Sequence, residues 1–245
     1  MDRLPRSRAH PPPVPEPAPD DPGTRPILPR VSDLPFVPAH PELSGRLIAA
    51  VDADGKIQRA LTQLGCGEGA DVTVLGEAPA RVAALRDGGA RVTVAALPDG
   101  HDPAPDADVA AALAGLAPAS ADVLVALWSA FAGPSPASLA LVDRILRPGG
   151  RLLALQDYGR DDLDGLRGAE RTTQLLEWSR RDGWYLGAGF RIHVIHAFWS
   201  AADVTEAGVL LEAAFGAAGR DASRELHRPR VAHNIAVYHR SAPPA

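Results

Sequence analysis

The sequence predicts an α/β protein built on an open, largely parallel sheet, and three observations carry that prediction. From residue 42 onward, short strand-like runs alternate with helix-like runs. The first four strand-like runs are nearly continuous in apolar residues, the pattern of strands covered on both faces. Once the proline-rich start is set aside, roughly 200 residues remain, enough for one domain with a sizeable core.

In chain order, residues 1–41 carry more than half of the 24 prolines and few large apolar side chains, so they read as a disordered, partly polyproline-II tail preceding a domain at 42–245. The expected strands are 71–76, 91–97, 122–128, 151–157, 190–198 and 231–239. Between them, Ser135 is the expected N-cap of a helix with Pro136 at its first position and a stop at Pro148, Gly149 and Gly150. A later helix places Val204, Gly208, Leu211 and Phe215 on one face, with Ser200 and Asp203 spaced as a capping box.

The stretch "LGCGEG" (64–69) looks like a glycine loop that would cradle a cofactor, but such a loop must follow a strand and open a helix. Ile57, Leu61 and Leu64 recur at helical spacing before it, and only two residues separate Gly69 from the next strand. The glycines therefore read as a helix C-cap and turn. That makes "DVTVLG" the first strand and "LGEAPAR" the loop at its carboxyl end, with Gly76 and Glu77 at its mouth. A second register stays open, in which residues 46–52 form the first strand and Glu77 ends the second as a ribose-gripping carboxylate. In the first register Ala95 and Ala96 stand where such an acid would be, and Asp99 lies just beyond.

Composition narrows the function. A net charge of -5 and a pI near 5.9 argue against a general nucleic-acid partner. Cys66 is the only cysteine, so the chain forms no internal disulfide and has no cysteine cluster for a metal. No apolar run reaches the roughly 18 residues of a membrane span, and no signal-like segment opens the chain, so a cytoplasmic location is expected. Lys56 is the only lysine among many arginines, a bias that fits a GC-rich bacterial genome.

The segment 121–158 is the most specific. Its strand beginning with Asp122, the "RILRPGGRLL" passage and the strand that follows resemble the fourth and fifth strands of class I S-adenosylmethionine-dependent methyltransferases. "LRDGGARVTV" and "LGAGFRIHVIHAFW" are similar to other passages of that family, so the resemblance spans roughly residues 57–240. It implies a three-layer Rossmann-like sheet of six or seven strands, mostly parallel, with an antiparallel last strand. It also implies S-adenosylmethionine as cofactor and methyl transfer to a small-molecule acceptor. By position, Gly76, Glu77, Trp128 and Ser129 would bind the donor, and Asp157 and Tyr158 would face the transferred methyl group. The single glycine of "LGEAPAR" departs from the family's glycine-rich loop. The alternative it raises is a methyltransferase-fold scaffold that has lost the donor.

Each of these residues also has a plainer reading. Trp128 and Phe131 equally suit the core, and Asp157 could hold its loop by accepting backbone amides. Asp161 and Asp162 read as caps of the next helix, and Arg180 and Arg181 as a solvated helix end. His193, His196, His227, His233 and His239 cluster late in the chain, but strand alternation puts His193 and His196 on opposite faces. No metal site is expected, and the sequence leaves the oligomeric state open.

Overall fold

The structure, a computed structural model, describes residues 33–97, 106–128 and 135–244. Ten helices and six strands follow one another among them. In order these are α1 (Ser44–Val51), α2 (Lys56–Gln63), β1 (Asp71–Leu75), α3 (Pro79–Asp87), β2 (Arg91–Ala95), α4 (Asp106–Ala114), β3 (Ala121–Leu127) and α5 (Pro136–Ile145). They continue as β4 (Leu146–Asp157), α6 (Asp164–Arg167), α7 (Ala169–Ser179), α8 (Trp184–Gly187), β5 (Arg191–Ser200), α9 (Val204–Phe215), α10 (Ala217–Ser223) and β6 (Arg230–Ser241). A short 3-10 turn, Pro41–Leu43, leads into α1.

The strands form one sheet in the order β2-β1-β3-β4-β6-β5. The pairs β1–β2, β1–β3 and β3–β4 are parallel, whereas β6 runs antiparallel to both neighbours, β4 and β5. Strand alternation sorts the core into two layers. Val72, Val74, Val125, Leu153, Leu155 and Ile235 pack on one face with side chains of α1, α2, α3 and α9. Leu75, Leu124, Leu152, Ala154 and Tyr238 pack on the other with α4, α5, α7 and α8. This is the three-layer, mostly parallel sheet expected, with the last strand antiparallel.

The register with a first strand at 46–52 is overturned, because those residues belong to α1 and its C-cap, Asp52. The "LGCGEG" turn ends α2 as a Schellman motif. Gly65 adopts φ 117°, its N–H bonds to the Thr62 carbonyl, and the Cys66 N–H reaches back to Leu61.

Other expectations shift. β2 is the edge of the described sheet and mostly exposed, with Val94 at 40%, not buried on both faces. Ser135 caps α5 as expected, but the helix ends at Ile145 and "RPGG" enters β4 as an irregularity in its pairing with β3. Asp203, bonded to the Glu206 N–H, caps α9, and Glu206 reaches back to the Ala202 N–H, so Ser200 has no part in the box. The buried face of α9 is Ala207, Leu210, Leu211, Ala213 and Ala214, while Val204 is exposed. Residues 33–41, within the segment expected as tail, pack on the domain. Leu34 is buried, Phe36 meets the rings of Trp199 and Phe215, and the amides of Ala39 and His40 donate to carbonyls of α9.

Candidate functional site

Strand order fixes where a ligand crevice can open. From β1 the chain passes to β2 on one side and then crosses to β3 on the other, so the loops after β1 and β3 diverge. That reversal is the topological switch point at which open α/β sheets bind ligands, outside the carboxyl ends of the strands.

Gly76 and Glu77 follow β1, and Trp128 follows β3, so three of the four expected donor-binding residues flank the switch point. Ser129 lies outside the described residues, as do Phe131 and Asp99. Gly76 is buried at φ 91°, a conformation open to glycine and strained for a side chain, and its N–H bonds to the Ala95 carbonyl. Glu77 is exposed. Ala95, at the end of β2, supplies no carboxylate.

The first turn of α3 has no side-chain cap of its own. Asp33 provides one from outside the helix, its two carboxylate oxygens accepting the N–H groups of Ala80 and Arg81 at 2.9 Å each. Two amides that would otherwise attract an anion at a helix start are thus held by the protein's own carboxylate. Asp52 does similar work for α2, accepting from the Ile57 and Gln58 amides while pairing with Arg81 at 3.0 Å.

Trp128 is buried and adopts φ 53°, costing roughly 1–3 kcal/mol in a bulky residue. Two contacts hold it there. Its carbonyl accepts from the buried Gln156 amide, and its indole stacks on His233 with centroids 6.4 Å apart.

β4 ends in Asp157, whose environment is a buried polar network. Its Oδ1 is 2.8 Å from His233 Nε2, and its Oδ2 accepts from Arg167 Nε at 3.1 Å. The Trp199 indole N–H donates to His233 Nδ1 at 2.9 Å. An indole nitrogen only donates, so Nδ1 carries no proton and the imidazole donates its Nε2 proton to Asp157. Arg167 continues the chain to Asp161 at 2.6 Å and Asp164 at 3.0 Å. Burial alone would raise the Asp157 carboxyl; the His233 hydrogen bond and the Arg167 charge outweigh it and hold the group below the ordinary carboxylate range.

Tyr158 sits on the opposite face of β4, in the layer of α5 and α7. Its hydroxyl accepts from Arg160 at 2.8 Å, and the same guanidinium lies 5.1 Å from its ring centroid. The structure therefore brings Asp157 together with Trp128 through His233, and leaves Tyr158 apart. Among the described residues Asp157 is held by side chains and not by a backbone amide, unlike the plainer reading. The loop is tied instead by Asp161, which accepts from Leu163 and Asn234, and by Asp162, which accepts from Ala232. Neither is the expected helix cap: α6 has no side-chain cap, Asp161 holds the turn before it, and Asp162 reaches across to β6. Trp199, His233 and Arg167 were missed as a group. Only the antiparallel pairing of β6 with β4 and β5 brings His233 beside Asp157 and Trp199.

Among the described residues no group of three or more His, Cys, Asp or Glu side chains converges as a metal site, and no helix is long and apolar enough to cross a membrane. A groove of about 460 Å³ lined by Asp162, Leu166, Leu211, Leu226, His227 and Arg230 opens beside β6, away from the switch point.

The strand order, with antiparallel β6 between β4 and β5, defines a Rossmann-like α/β fold. No protein-family model matches the chain, and neither does any curated protein sequence. Solved structures are similar to it at low identity. One, assigned as a type II methyltransferase from Anaeromyxobacter dehalogenans, is 20% identical over 76% of this chain and 97% of its own, with a TM-score of 0.45. Geranyl diphosphate C-methyltransferase from Streptomyces coelicolor A3(2), in complex with S-adenosyl-L-homocysteine, is 14% identical over 84% of this chain and 83% of its own, with a TM-score of 0.39. A SAM-dependent methyltransferase from Aquifex aeolicus is 12% identical over 74% of this chain and 87% of its own, with a TM-score of 0.40. No residue role is carried over from them.

Proposed function

We propose that this chain is an S-adenosylmethionine-dependent methyltransferase acting on a small-molecule acceptor. The observation that supports it is the placement of Gly76, Glu77 and Trp128 around the switch point between β1 and β3. These residues fit the donor in a particular way. Gly76 lets a ligand approach the backbone, Glu77 offers an exposed carboxylate to hydroxyl groups, and the α3 amides are already engaged by Asp33. The donor is held through the β1 and β3 loops in this reading, with Ser129 among its contacts.

S-adenosylmethionine, when bound, supplies a methyl group on a positively charged sulfur. The chain's task is to align the acceptor in line with that methyl and to exclude water. Trp128, held rigid by Gln156 and His233, forms an aromatic wall that attracts positive charge. Asp157 anchors that wall through His233 as a buried anion, whereas Tyr158, on the other side of β4 and engaged by Arg160, stands apart from it. Of the two, Asp157 is the residue we assign to the methyl-transfer side of the site.

Titration calorimetry with S-adenosylmethionine and S-adenosylhomocysteine tests the reading. We expect affinity in roughly the micromolar range, abolished by Gly76→Leu, because φ 91° at that position is strained for any residue with a side chain. A folded protein that binds neither compound would overturn it and leave a methyltransferase fold used as a scaffold.

A further inference from the structure

A second concave site lies at the other end of the sheet. The amino end of β4, the carboxyl end of β6 and the start of β5 enclose a cavity of about 330 Å³ lined by Arg151, Gly189, Arg191, His239, Arg240 and Ser241. Register explains the gathering. Arg191 pairs with His239 and Arg151 with Ser241, and cross-strand partners share a face, as do residues two apart. Arg151, Arg191, His239 and Ser241 therefore project from one face of three neighbouring strands, with His193 two residues along β5 on the same side.

The charges there are not balanced. Among the described residues no carboxylate lines the cavity, and Asp143 of α5 pairs with Arg240, whose Nη2 contacts both of its oxygens at 2.6 Å. Arg151 donates once, to the Leu64 carbonyl at the end of α2. The side chains of Arg191, His193 and His239 make no hydrogen bond or ion pair among the described residues. Partial burial, with the charges of Arg151 and Arg191 and the nearby His193, pushes the His239 imidazole below its ordinary value. Three strands thus hold like charges together at a cost that an incoming anion would relieve.

We infer that this cavity is a binding site for an oxyanion, a phosphate or carboxylate group of a small molecule, held by the Arg151 and Arg191 guanidiniums with His239 and Ser241. Guanidinium forks match such groups in charge and in geometry. An anion also favours protonated His239, so binding strengthens as pH falls through the imidazole's titration. The groups that set that titration are Arg151 on β4 and Arg191 and His193 on β5, while Arg240 and its partner Asp143 of α5 lie on the opposite face of β6. The site stands at the opposite end of the strands from the β1/β3 crevice and is independent of the methyltransferase reading.

The test is side-chain NMR of the histidines with calorimetry, titrating the full chain with inorganic phosphate and, separately, with citrate. Saturable shifts at His239 are expected with at least one, larger near pH 6 than near pH 8, and the preferred anion tells phosphate from carboxylate. Arg191→Gln, at an exposed position, should weaken binding about tenfold. His239→Gln should leave binding while removing the pH dependence that the anion's own titration does not supply. Arg180→Gln, an exposed arginine paired with Glu177 elsewhere, should change nothing. Absence of saturable shifts at His239 with both anions, or equal losses in Arg180→Gln and Arg191→Gln, would overturn the assignment.

Discussion

At the scale of single residues, Asp157 shows how position in a buried network decides what a carboxylate can do. Both of its oxygens are engaged, and the chain Trp199–His233–Asp157–Arg167 assigns every proton. With its folded pKa depressed, the carboxylate contributes stability that is complete above its unfolded pKa of about 3.9 and is lost as pH falls through the lower folded value. Asp157→Asn should therefore cost about 3 kcal/mol at neutral pH by leaving Arg167 short of one buried partner. Denaturant unfolding across pH should show the gap between variant and parent narrowing below about pH 4; a gap independent of pH would refute the charged role. Asp157 was legible in the sequence as the end of an apolar strand. Its partners were not, because His233 lies 76 residues away in the chain and only strand register unites them.

At the scale of elements, the punctuation read from sequence held where it rested on local chemistry. Gly65 after Leu61 and Leu64 specified a helix end, and Ser135-Pro136 specified a helix start. Faces were harder, because the buried side of α9 depends on what packs beside it. α10 folds back so closely that a Cβ on Gly219 would collide with the Leu211 carbonyl. Gly219→Ala should lower stability by about 2 kcal/mol or more, read as a fall in denaturation midpoint; an unchanged midpoint would show that the two helices separate freely. The most family-like motif also turns out to work at the sheet's amino end. Arg147 of "RPGG" pairs with Asp71 and with Asp122, whose carboxylate also accepts the Asp71 amide. Those contacts stitch β1, β3 and β4 together, so the motif revealed the fold while saying little about the crevice.

At the scale of the molecule, all six strands were legible as short strand-like runs alternating with helix-like ones, the first four of them nearly continuous in apolar residues. The packing of residues 33–41 was not, since Leu34 and Phe36 are isolated apolar residues among prolines. Cys66 offers a probe of the whole. Burial pushes its thiol up to about 12, so at about pH 8 a thiol reagent should label it only as fast as the protein opens. Labelling should be negligible in native protein and complete in denaturant, and rapid labelling without denaturant would show that the turn after α2 opens locally. The position of β6 bears on assembly as well. Among the described strands β5 joins the sheet through β6, which follows it in the chain and must enter between two strands made before it. On the ribosome, then, β1 to β4 can associate as they emerge, while β5 waits as an unpaired ribbon until Ser241 clears the exit tunnel, and the sheet closes from its middle outward.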